Sequence, residues 1–130
     1  MTPKVLLVDD EKDFVEFVRP TLEQAGMEVA VAYSGKEALA LIHEDKPHVV
    51  VTDIVMPEMN GIELIENISK IDPDILVITV TGYADWEDKL GAIKDVVKVS
   101  LLKPIRLDDV LSSVDICLAV SKPALVKKRK

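Results

Sequence analysis

The chain has 130 residues, enough for one domain and too short for two of ordinary size. Hydrophobic residues make up 48% and charged residues 30%, which excludes a disordered or collagen-like chain, and a single cysteine, Cys117, excludes an internal disulfide. The net charge is −7, but the last ten residues hold five cations and no acid, so residues 1–120 carry 11 cations against 23 acids and should repel nucleic acid and anionic membrane.

No segment shows the basic start, long apolar run and small-residue cleavage site of a secretory signal, and no apolar run approaches the ~20 residues of a membrane helix. The expectation is a soluble, cytoplasmic chain in a reducing compartment. The basic end, 121–130, reads as a solvated tail or the start of a linker.

In chain order, apolar β-branched runs at 4–8 (KVLLV), 27–33 (MEVAVAY), 49–52 (VVVT), 75–81 (ILVITVT) and 96–102 (VVKVSLL) predict five strands. Runs apolar at nearly every position predict burial on both faces, as in a parallel sheet covered on both sides. Helical spacing intervenes each time. Phe14, Val18, Leu22 and Ala25 form the first stripe, although Pro20 lies within it. Ser34 and Glu37 have capping-box spacing before Ala38, Leu39 and Ile42. Ile62, Ile65 and Ile68 make a third stripe, a fourth helix is expected from near Asp85, and Leu107, Val110, Leu111, Val114, Cys117 and Leu118 make the last. Arg106 stands at the expected start of that helix, where arginine is a poor cap. Five alternating units predict an α/β fold with a doubly wound, five-stranded parallel sheet and helices on both faces. Cys117 is expected to be a buried structural thiol.

On this frame Asp9 and Asp10 follow the first strand, Asp53 the third and Lys103 the fifth, while Thr81 ends the fourth. Parallel strands bring all five to one edge, where open α/β sheets bind ligands. Three carboxylates gathered there would repel one another unless a cation or proton intervened. A hard divalent cation such as magnesium fits oxygen ligands of this kind. Neither His43 nor His48 stands at a strand end, so zinc or copper is not expected and both read as surface histidines. With magnesium bound, one carboxylate could attack a phosphoryl group and form an acyl phosphate.

The motifs LLVDDE (6–11), DIVMPEMNG (53–61), VTGYAD (80–85) and LLKP (101–104) resemble the receiver domain of bacterial two-component response regulators, over about Lys4 to Val120. The resemblance implies sheet order 2-1-3-4-5, a receiver over 1–120, and Asp53 as acceptor of a phosphoryl group from a sensor histidine kinase or phosphotransfer protein. It implies Mg2+ held by Asp9, Asp10, Asp53 and the carbonyl of Val55. Thr81 would bond the phosphoryl oxygen and Lys103 would pair with it. It also implies a cis bond before Pro104, a tight turn at Gly61 and output through the face of the fourth helix, fifth strand and fifth helix. No nucleic acid or membrane partner is expected for the domain itself, and a homodimer formed on phosphorylation is allowed for. Such domains are switches that assist their own phosphorylation and dephosphorylation and turn over no independent substrate.

One position departs from the family: Ser100 stands where receivers usually carry an aromatic ring, so Tyr83 or the fourth helix is expected to carry the signal instead. The resemblance implies that Val55 and Tyr83 stand at positions that tune hydrolysis; neither offers a carboxylate or amide to align a water, so a persistent phosphoryl state is expected. Trp86 reads as a half-buried helix residue near the site. Competing readings are a magnesium-dependent aspartyl phosphatase, which needs an acid where Val55 stands, and a flavin carrier, whose phosphate would face Asp9 and Asp10. The third is a phosphorylation-independent binding module, which usually lacks one of the acids or the lysine.

Overall fold

A computed structural model of the chain describes residues 2–56, 58–82 and 96–121. Five strands, β1 (Lys4–Val8), β2 (Glu28–Ala32), β3 (Val49–Thr52), β4 (Leu76–Thr81) and β5 (Val97–Leu102), form one parallel sheet in the order β2-β1-β3-β4-β5. The described helices are α1 (Lys12–Gln24), α2 (Gly35–Glu44), α3 (Gly61–Ile71) and α4 (Leu107–Ser121), the last being the fifth helix expected from the sequence. The helix expected from near Asp85, with Tyr83 and Trp86, lies outside the described residues.

Alternation along the strands splits the apolar side chains into two layers. Val5, Leu7, Val49, Val51, Ile78 and Val80 face Val15, Val18 and Leu22 of α1 and Val110, Val114, Cys117 and Leu118 of α4. Leu6, Val8, Val50 and Val77 face Ala38 and Ile42 of α2 and Leu64, Ile65 and Ile68 of α3. Cys117 is buried as expected, and burial pushes its thiol up to about 11.

Two expectations need correction, and two others are refined. Burial on both faces holds for β1, β3 and β4, whereas β5, and β2 up to its buried last residue Ala32, alternate between exposed and half-buried residues. They are the sheet's edges, with one strand neighbour each. His48 is half-buried rather than a surface residue, and its Nδ1 accepts from the Lys4 N–H at 2.9 Å, fixing the start of β1. In the capping box Ser34 Oγ accepts from Glu37 N as the spacing predicts, but the Glu37 carboxylate reaches back to Tyr33 N. Pro20 lies on the exposed side of α1, and the helix continues through it, as the periodicity predicted.

Candidate functional site

The sheet itself extends into the rim that carries the polar residues. Asp9 N donates to Ala32 O at 3.1 Å, Asp53 N to Val8 O at 3.0 Å and Lys103 N to Thr81 O at 2.8 Å, so each residue continues the strand ladder by one step. Asp9, Asp53 and Thr81 are buried, while Asp10 is exposed.

The side chain of Lys103 crosses this rim. Its ammonium donates to Asp9 Oδ2 at 3.0 Å, Asp53 Oδ2 at 3.2 Å and Glu11 Oε1 at 2.9 Å. Burial penalises the ammonium, but its bonds to Glu11 and Asp9 and the charges of Asp9 and Asp53 outweigh that and hold the amine above its ordinary value. The remaining oxygens are oriented by backbone. Asp53 Oδ1 accepts from Ile54 N at 2.6 Å and Val55 N at 3.2 Å, and Asp9 Oδ1 from Glu11 N at 2.9 Å. Burial raises the Asp9 carboxyl above the usual carboxylate range, against the opposing pull of the Glu11 N–H and Lys103.

One ligand oxygen from each of Asp9, Asp10 and Asp53 lies within 4.8 Å of the others. These three acids and Glu11 bring four negative charges, of which Lys103 balances one. Hard oxygen donors with unbalanced charge fit a divalent cation of the magnesium or calcium class. A cleft of about 260 Å3, lined by Asp10, Glu11, Asp53, Val55, Gly82 and Lys103, opens beside them. Half-exposed Val55 thus borders the cluster that it was expected to complete.

The loop after Asp53 is set by Asn60 and Gly61. Asn60 caps α3, its Oδ1 accepting from Glu63 N at 2.9 Å. Gly61 was expected to permit a tight turn, yet the positive φ in this loop belongs to Glu58, at 65°. Gly61 is needed for space: a Cβ there would run into the carbonyl oxygen of Asp53 and stand 2.6 Å from Ile54 Cα. The Lys103–Pro104 bond is cis, as the resemblance implied.

All five strand-end residues therefore share one edge, as the topology requires. Sequence reasoning missed Glu11, although it is the last letter of LLVDDE, and Phe14, whose ring lies 4.5 Å from the Lys103 ammonium. Phe14 was read only as part of the core stripe, and no local pattern links it to a lysine 89 positions away.

A parallel 2-1-3-4-5 sheet with an acidic, lysine-bridged pocket at the carboxyl ends of its strands defines an α/β domain of the flavodoxin-like, CheY-like class. The chain belongs to the response regulator receiver domain family, which it matches over residues 5–115. It is 36% identical over 116 residues to the chemotaxis protein CheY of Thermotoga maritima, covering 88% of this chain and 97% of that protein. Against the transcriptional regulatory protein YesN of Bacillus subtilis it is 34% identical over 130 residues, but it spans only 35% of that protein's length. It likewise spans 24% of the C4-dicarboxylate transport transcriptional regulatory protein DctD of Rhizobium meliloti. In three dimensions it resembles the CheY-like receiver domain protein of Methanospirillum hungatei JF-1, with TM-score 0.88 and 29% identity over 95% of this chain and 99% of that one. Receiver domains are signalling switches rather than conventional enzymes, and no helix among the described residues is long and apolar enough to cross a membrane.

Proposed function

We propose that residues 1–120 form a cytoplasmic, phosphorylation-controlled switch in which Asp53 takes a phosphoryl group from the phosphohistidine of a sensor kinase or phosphotransfer protein. The observation that carries this reading is the single ammonium of Lys103 shared between Asp9 and Asp53, with an Asp10 oxygen within 4.8 Å of both. Asp53 Oδ1 accepts from two backbone N–H groups fixed by the fold, whereas Oδ2 accepts from the Lys103 side chain, so Oδ2 is the oxygen assigned to attack phosphorus. As that bond forms, the P–N bond to the histidine breaks and its electron pair returns to the imidazole. Lys103 then pairs with a phosphoryl oxygen, and the Thr81 hydroxyl hydrogen-bonds another. Magnesium, held by Asp9, Asp10, Asp53 and the Val55 carbonyl, supplies charge neutralisation when bound.

Val55 is 52% exposed beside the cleft and cannot align a water for hydrolysis, which supports a persistent phosphoryl state. Glutamate at this position should shorten it. Output through the face that includes β5 and α4 deepens the same reading, with a phosphorylation-dependent second copy as one candidate partner. The test is intact mass after acetyl phosphate and Mg2+, with Asp53→Asn alongside. One phosphoryl adduct on the wild type and none on the variant is the expected result. An unmodified wild type would favour a phosphorylation-independent binding module instead.

A further inference from the structure

The amino ends of the strands carry a second hollow, on the rim opposite the acidic pocket. A groove of about 270 Å3 runs between the end of α2 and the start of β1 and β2. Its lining is apolar at Ala30, Leu41 and Ile42 and charged at Lys4, Glu28, Glu44 and Asp45. Lys4 spans two of these acids, 2.8 Å from Asp45 Oδ2 and 4.0 Å from Glu28 Oε2, so three negative charges meet one positive. The neighbouring cation, Lys46, is turned to Asp72 at 3.8 Å. Glu44 ends α2 and Asp45 caps it, and the carboxyl end of a helix favours positive charge. An apolar floor under an acidic rim suits long cationic side chains, which lay their methylene stems on the one and present their charge to the other.

We propose that this groove is the docking site of the chain's own basic segment, KKRK at 127–130, which lies outside the described residues. The inference does not depend on phosphorylation. α4 starts beyond the carboxyl end of β5 and, as a 15-residue helix about 22 Å long, returns the chain to the amino-end rim. It packs over β3 and β4, whereas α2 packs over β1 and β2 on the other face. From one to the other is about 15 Å across three strand spacings and about 10 Å, one packed layer, around the end of the sheet. Residues 127–130 stand six to nine steps beyond Ser121, an extended reach of about 20–30 Å. The four cations therefore arrive where the acids stand, and 122–126 serve as the span.

A nitroxide on Lys130→Cys in the full chain reads where the segment lies, since the native Cys117 is buried and stays unlabelled. The amide NMR signals of Ala30, Leu41 and Glu44 should lose most of their intensity relative to the reduced label. Those of Asp10 and Gly61, at the opposite rim, should keep theirs. Adding Glu28→Gln and Glu44→Gln removes two exposed charges without changing shape, so the docked-to-free ratio should fall about two- to tenfold and intensity should return. Salt at about 1 M should do the same, because it screens exposed pairs. No selective loss at the groove overturns the proposal, and so does a loss that neither the glutamine pair nor salt relieves. Mixing isotope-labelled chain that lacks the nitroxide with unlabelled chain that carries it identifies the occupant. Intact groove signals in that mixture support docking within one chain, whereas their loss would put a second copy's segment in the groove and overturn the assignment.

Discussion

Replacing Gly61 with alanine tests whether the phosphoacceptor loop is held by close packing. The new Cβ would meet the carbonyl oxygen of Asp53, stand 2.6 Å from Ile54 Cα and 3.1 Å from the Asp53 carbonyl carbon. The Ile54 contact is about 1 Å inside the ~3.5 Å at which carbon atoms rest comfortably. All of these neighbours are backbone, so no rotamer change relieves the overlap, and either α3 or the loop must move. Movement strains the 2.7 Å bond from Gly61 N to Ile54 O and the 2.9 Å bond from Thr52 Oγ1 to Asp53 O. Overpacking costs about 1–3 kcal/mol and the weakened bonds about 1 kcal/mol more, against a small gain from alanine in a helix. The expected loss is about 2–4 kcal/mol, or a fall in Tm of roughly 8–16 °C. Gly35→Ala is the control. Its Cβ would meet Met59 at 2.9 Å from Sδ, which can turn aside, and at 3.1 Å from Cβ, which must give by only a few tenths of an ångström, so the loss should stay well below that of Gly61→Ala, at about 1 kcal/mol. Urea unfolding followed by circular dichroism measures both. Equal stability of Gly61→Ala and the wild type, or a larger loss in Gly35→Ala, would refute the reasoning.

Thr79 is fully buried and its hydroxyl has no hydrogen-bond partner among the described residues, so Thr79→Val should raise stability by about 1–2 kcal/mol; a drop in the urea midpoint would contradict this. Cys117, with its thiol raised to about 11, should react with iodoacetamide at pH 8 at least about 100-fold more slowly in the folded protein than in urea, and comparable rates would show the thiol to be accessible. In the metal-free protein the raised Asp9 carboxyl means that the folded state keeps its proton to higher pH than the unfolded state does. Stability relative to Asp9→Asn should therefore fall as pH climbs above the ordinary aspartate range and ionises the buried group. Chelated urea titrations between about pH 3 and 7 read that slope, and a gain for the wild type on the same path would reverse the assignment.

The central fold was legible because its strands announce themselves. Val49–Thr52 and Leu76–Thr81 are apolar or β-branched throughout and buried throughout, so pattern and environment coincide. The edges were less readable: Val97–Leu102 looks like a core strand until its single strand neighbour is known, and Lys98 and Ser100 then prove to mark an exposed face. At the site, Asp9, Asp10, Asp53, Thr81 and Lys103 could be placed together because parallel strands fix which ends coincide. Glu11 and Phe14 could not, because their part depends on where one lysine side chain lies after the whole sheet is assembled. The reason for Gly61 was similarly hidden, since sequence shows a glycine without showing the carbonyl pressed against it.

The three rim residues tied by their own amides to neighbouring strands have a thermal consequence. Asp9, Asp53 and Lys103 each hang from a bond to an adjacent strand, so loosening any one of them means opening the sheet beside it. Heat or denaturant should then silence the pocket only when the scaffold itself melts, with no milder temperature at which the domain is intact and the pocket already lost.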